Sequence, residues 1–157
     1  MAKAKQRDPS CSNIGRNSKL SFVSNILSVE GNLLELLQYE PKRPYARASR
    51  VGDHVFLAGE AGYAGHRDHV VEGGIVTQAK QAFENIRETL EIYGLGFEDL
   101  ARMDVFLLDG EDKQPLMKVL GEYLPQGSPP GALVVVKGFA HEGVLVEIEC
   151  IAATTKG

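Results

Sequence analysis

Long apolar runs and a basic body are missing from this 157-residue chain and cysteine is scarce, and each shortage excludes something. No apolar run approaches the ~18 residues needed to cross a bilayer, and the most hydrophobic stretches, such as 132–136, soon meet a charge. No membrane partner is expected. Two cysteines, Cys11 and Cys150, lie at opposite ends of the chain, too few for a disulfide scaffold or a cysteine-built zinc module. The opening MAKAKQRDPS is basic but has neither the apolar core nor the small-residue cleavage site of a secretory signal, so a reducing cytoplasm is the expected compartment. No GxGxxG, phosphate-loop or GxSxG pattern occurs, and Gly73-Gly74 and Gly94 with Gly96 read as helix boundaries. Positive charge is absent where nucleic acid would need it. Lys3, Lys5, Arg7, Arg16 and Lys19 against Asp8 give the first 19 residues +4, which leaves −8 for the rest of a chain whose net charge is −4. An acidic body lacks the face that neutralises phosphates, so no nucleic-acid partner is expected.

What is present suffices for one globular domain, with 43% apolar and 24% charged residues. Residues 1–19 have no apolar period and read as a tail. From 20 to 40, Phe22, Val23, Ile26, Leu27, Leu33, Leu34, Leu36 and Leu37 suggest helical turns interrupted at Gly31. Pro41 and Pro44 then force extended chain, dividing an N-terminal extension, 1–41, from a body, 42–157. Residues 43–62 read as a hairpin turning at Gly52-Asp53. Ile75, Ala79, Ala82, Phe83, Ile86 and Leu90 recur at helical spacing up to a stop at Gly94. A strand follows over 101–110, then a second helix capped by Asp109 or Asp112 and ending before Pro125, then strands over 132–138 and 144–153. The order β-β-α-β-α-β-β predicts an α+β, two-layer domain with two helices on one face of a mixed sheet.

The last strand, VLVEIECIAA, sets Glu147 and Glu149 on one face and Val146, Ile148 and Cys150 on the other. Carboxylates on a sheet face are costly to bury unless they line a wet cleft or an oligomer interface, so function is expected there. Cys150 reads as a buried small hydrophobe, with no histidine at a nucleophile's spacing. His66 and His69, three apart around Asp68, lack a third ligand at regular spacing, and no metal is expected.

Three blocks in order, PYARASRVGDHVFLAGEAG, VVEGGIVTQAKQAFENIRETLEIYGLGFEDLARMDVFLLD and SPPGALVVVKGFAHEGVLVEIECIAA, resemble the reactive intermediate deaminase family, also called YjgF or Rid, across residues 43–153. The resemblance implies a chorismate-mutase-like α+β fold and a homotrimer. Its sheets would form an inner barrel with small-molecule clefts between subunits and no cofactor. Active members hydrolyse imines and enamines derived from amino acids to keto acids and ammonia. In them a cleft arginine pairs with the substrate carboxylate and a last-strand glutamate positions water. Carried onto this chain, the glutamate is Glu147, the first-block tyrosine is Tyr45, and the glycine whose backbone faces the ligand is Gly59. The arginine is missing, because its Pro-x-Arg position falls on Pro130-Gly131-Ala132. Gly131 and Ala132 thus stand at the ligand-binding position without a charge or a side-chain donor. Arg47, two residues beyond Tyr45 on a strand and so on the same face, is the candidate replacement. Lys137, five residues after Ala132, points to the opposite face. Two readings stay open: a divergent imine or enamine hydrolase, and a non-catalytic trimeric small-molecule binder. Ribonuclease activity, an older association of the family, is disfavoured by the acidic body.

Overall fold

The computed structural model describes residues 21–23, 26–28, 34–39, 43–65 and 69–154. In chain order the elements are β1 (Ser21–Val23), β2 (Ile26–Ser28), β3 (Leu34–Gln38), β4 (Ala46–Val51), β5 (His54–Leu57), β6 (Glu60–Ala61), β7 (Tyr63–Ala64), β8 (His69–Val70), α1 (Gly74–Ile92), β9 (Leu100–Leu107), α2 (Lys113–Tyr123), β10 (Leu133–Val135) and β11 (Val146–Ala153). A mixed sheet runs β1-β2-β3-β4-β5-β11-β9-β10, with β6 also pairing to β11, while β7 and β8 form a separate ribbon. All pairings are antiparallel except β9 with β10.

α1 forms because its apolar residues make one stripe: Ile75, Ala79, Ala82, Phe83, Ile86 and Leu90 are all buried. Gly94, at φ 68, accepts the left-handed turn that ends the helix, where the Gly94 N–H donates to Glu91 O at 3.0 Å and the Leu95 N–H to Leu90 O at 3.0 Å. Of the two caps the sequence offers for α2, Asp109 makes the bond. Its carboxylate accepts the Glu111 N–H at the head of a short 3₁₀ turn, Gly110–Asp112, that runs into the helix. Leu116, Val119 and Leu120 of α2 join Phe83 and Ile86 over Val105, Leu107, Val146 and Ile148. Each such fully buried side chain contributes about 1.5–3 kcal/mol. Among the described residues no helix is long and apolar enough to cross a membrane.

The helical turns expected over 20–40 are instead strands wherever that segment is described. The tail, 1–19, and Gly31 lie outside the described residues. β3 pairs along β4, with Leu36 opposite Ser49 and Leu37 opposite Ala48. Leu34 to Gln38, LELLQ, carries good helix formers, but a waiting sheet edge satisfies its backbone and buries Leu37, and that long-range pairing overrides local preference.

The alternation on β11 is as regular as its sequence. Val146, Ile148, Cys150 and Ala152 are buried against the helices, while Glu147, Glu149 and Ile151 look out from the other face. Cross-strand register adds Phe106 beside Glu147, Asp104 beside Glu149, and Arg102 and Phe56 beside Ile151 on that uncovered face. Val134 of β10, 42% exposed, continues the row through Phe106.

Candidate active site

Glu147 reaches the surface where β11 leaves the cover of β5. Ala61 is its partner on β6, and Gly59 lies just before that strand. A methyl group on Gly59 would stand 2.6 Å from Glu147 Oε1, so only glycine lets the backbone and the carboxylate approach this closely. Two buried amides of α1 hold the surrounding chain. Asn85 Nδ2 donates to Ala61 O and Tyr63 O, both at 3.0 Å, fixing the strand that carries Tyr63. Gln78 Nε2 donates to Gly143 O at 2.8 Å and its Oε1 accepts the Leu145 N–H at 2.9 Å, clamping the turn that feeds β11. A methyl on Gly62 would meet Gln78 Cα at 2.7 Å, so α1 and this strand pack backbone to backbone.

The result is a cleft of about 1060 Å³ whose lining includes Tyr39, Arg43, Tyr45, Gly59, Tyr63, His69, Gln78, His141 and Glu147. Its walls are aromatic. Tyr45 is edge-on to the buried Tyr39 at 5.6 Å between ring centroids, and His141 is edge-on to Tyr63 at 5.8 Å. Burial first, then the negative charge of Glu147, then Tyr45 hold the Tyr63 phenol above its ordinary range, with Arg43 pulling the other way. Tyr63 is therefore a neutral O–H at physiological pH and can donate a hydrogen bond inside the cleft.

The other sequence candidates fall elsewhere. Arg47 does not line the cleft. Ala46 pairs with Gln38 and Ala48 with Leu37, so Arg47 is the extra residue of a β-bulge, and the period of two that would carry it beside Tyr45 breaks there. Its Nη2 donates to Asn85 O at 2.9 Å and pairs with Glu88 Oε2 at 3.2 Å, laying the side chain on α1. Gly131 and Ala132 lead into β10, outside the cleft of the single chain. The Ala132 N–H donates to Asp104 Oδ1 at 2.8 Å. Arg102 grips the same carboxylate with both ends of its fork, at 2.6 and 2.9 Å, and this hydrogen bonding, first from Arg102 and then from Ala132, holds Asp104 below the usual carboxylate range. A methyl on Gly131 would lie 1.7 Å from Met103 O, so close strand packing requires glycine here. Glu149 is exposed on the same face as Glu147 but two residues further along. Burial pushes the Cys150 thiol up to about 12, in keeping with a packing role. His69 reaches the cleft from β8, whereas His66 lies outside the described residues.

Sequence reasoning passed over Arg43, Tyr63, His141 and the two clamping amides. Gln78 and Asn85 left a readable trace, being polar residues seven apart within the apolar stripe of α1, where burial demands partners.

The Endoribonuclease L-PSP family model matches residues 37–154. A RutC family protein of Pyrococcus horikoshii is 33% identical over 113 residues, covering 72% of this chain and 89% of its own. The mouse 2-iminobutanoate/2-iminopropanoate deaminase is 32% identical over 109 residues, covering 69% and 80%. The crystal structure of RidA from an Antarctic Psychrobacter superposes with a TM-score of 0.67 at 32% identity, covering 71% of this chain and 89% of that one.

Proposed function

The chain belongs to the Endoribonuclease L-PSP family, the YjgF or Rid proteins, and from that premise we propose that it hydrolyses the C=N bond of a small imine, or of the imine tautomer of an enamine, in the Glu147 cleft. The observation that carries the reading is the seat of Glu147. Gly59 leaves room for its carboxylate at the cleft wall, where its charge acts on the neutral hydroxyl of Tyr63 and Tyr45 shares the lining. Such a carboxylate orients a water and accepts its proton as the oxygen attacks the imine carbon. The resulting carbinolamine collapses to the carbonyl product and ammonia. Tyr45 and Tyr63 would shape the pocket, and Tyr63 O–H would donate to the substrate.

The working unit is proposed to be a homotrimer in the cytoplasm, its uncovered sheet faces packed together and each cleft completed by a neighbouring copy. Phe56, Phe106, Ile151 and Val134 form the apolar part of that face. Ribonuclease activity, which the family's name suggests, has no support in the cleft: its described lining carries Glu72, Glu142 and Glu147 against a single arginine, the wrong sign for a phosphodiester chain.

A second reading, a binding protein without turnover, draws on Ala132. Its side chain has no charge and its N–H is already engaged by Asp104, so the position offers a carboxylate nothing. One assay separates the two. The purified protein is supplied with 2-aminoacrylate generated in situ and keto-acid release is followed in wild type and Glu147→Gln. Release above buffer that falls about 10²–10⁴-fold in the variant is expected. A wild type no faster than buffer leaves the binding reading standing.

A further inference from the structure

Among the described residues lining the cleft, one permanent cation faces the carboxylates, and it is neither Ala132's counterpart nor Arg47. Arg43 and Tyr45 flank Pro44 in a segment that bends at Pro44 and Tyr45 just before β4, and both line the cleft. The guanidinium carbon of Arg43 lies 6.0 Å from the Tyr39 ring centroid, and the Tyr63 phenol senses Arg43 and Glu147 with opposite effect, so the two charges flank one aromatic wall.

We propose that Arg43 is the specificity-determining residue of this cleft, holding the carboxylate of a small 2-imino or 2-oxo acid from the segment before β4. This rests on the cleft reading above but not on turnover. Arg47, Arg50 and Arg102 do not line the cleft: Arg47 lies against Asn85 and Glu88, Arg102 against Asp104, and Arg50 Nε donates to Gly52 O at 3.0 Å. A guanidinium carries five N–H donors in a planar fork, enough to serve a protein acceptor and still present two parallel bonds to a ligand carboxylate. A carboxylate held at Arg43 directs the adjacent C=N or C=O carbon toward the Glu147 and Tyr63 side.

The test is direct binding, which needs no chemistry. Pyruvate and its neutral counterpart pyruvamide are titrated by calorimetry into wild type, Arg43→Gln, Arg43→Lys and Arg47→Gln, each checked for folding by circular dichroism. Pyruvate is expected to bind wild type at least about tenfold more tightly than pyruvamide. Arg43→Gln should remove that preference, Arg43→Lys should retain part of it, and Arg47→Gln should leave it intact. If wild type does not distinguish the two compounds or binds neither, the proposal is overturned. It also fails if Arg43→Gln binds pyruvate as wild type does, or, should that variant not fold, if Arg43→Lys does so. Loss of pyruvate binding in Arg43→Gln together with an inactive wild type would sink the hydrolase reading alone. Turnover indifferent to Arg43 would sink this proposal alone.

Discussion

Gly59 and Glu147 show how closely one residue can constrain another in this cleft. The Cβ that alanine would add meets Glu147 Oε1 at 2.6 Å, and the atom in its way is the mobile end of a side chain rather than backbone. Gly59→Ala is therefore expected to displace the carboxylate while leaving the fold nearly as stable. A misplacement of about 1 Å costs on the order of 10²-fold in rate. The expected outcome is a loss of that order in kcat/KM with a melting temperature close to wild type, and an equal fall in both would mean that Gly59 serves packing instead. The resemblance picked out Glu147, Tyr45 and Gly59, and all three line the cleft. Arg43 was not legible, because the chain bends at Pro44 and Tyr45 before β4 begins and no period links it to Tyr45. The period of two from Tyr45 to Arg47 fails at a bulge, which arises from pairing with Gln38 and Leu37 and has no local signature at Arg47.

Elements position these residues through α1, whose buried stripe is not wholly apolar. Gln78 supplies both a donor and an acceptor to the turn before β11, where Gly143 is exposed and Leu145 half-buried, so water can take over part of the bonding if the amide is lost. A hydrogen bond of this kind contributes about 0.5–1.5 kcal/mol net. Gln78→Leu, similar in volume but without hydrogen bonds, should lower the urea unfolding free energy by about 1–2 kcal/mol and speed amide exchange at Leu145. An unchanged exchange rate would show that the turn holds itself. The helices and β11 were readable because one face of each is buried against a contiguous core, which imprints periods of 3.6 and 2. LELLQ was not, since five residues with leucines at the first, third and fourth places fit either period, and the arbiter is β4, far closer in the fold than any local signal. Both β7 and β8 are two residues long, too short to leave a pattern.

At the scale of the molecule, helices cover one face of the sheet, and among the described residues nothing covers the other. That uncovered face has an organised centre, the Arg102–Asp104 fork with Ala132 N–H on the same carboxylate, and an apolar rim in which Phe56 and Val134 are each 42% exposed. The apolar side chains fall in two cross-strand pairs, Phe56 with Ile151 and Phe106 with Val134, on either side of the Glu149–Asp104 row, and exposed apolar pairs grouped on one face mark association. The proposed homotrimer would cover this face by packing copies against one another. Glu147 lies on this same face beside Phe106, so closing the assembly would also close the cleft from the far side and exclude water from the reacting carbon. A charge in the middle of the apolar rim should then act at a distance from Glu147 without touching it. Val134→Asp would have to bury an unpaired carboxylate in each interface, a cost of several kcal/mol per copy. Sedimentation velocity is expected to give a trimer for wild type and a monomer for Val134→Asp, with keto-acid release lost in parallel while circular dichroism stays native. A wild type that sediments as a monomer while releasing keto acid at full rate would mean that one chain holds the whole site.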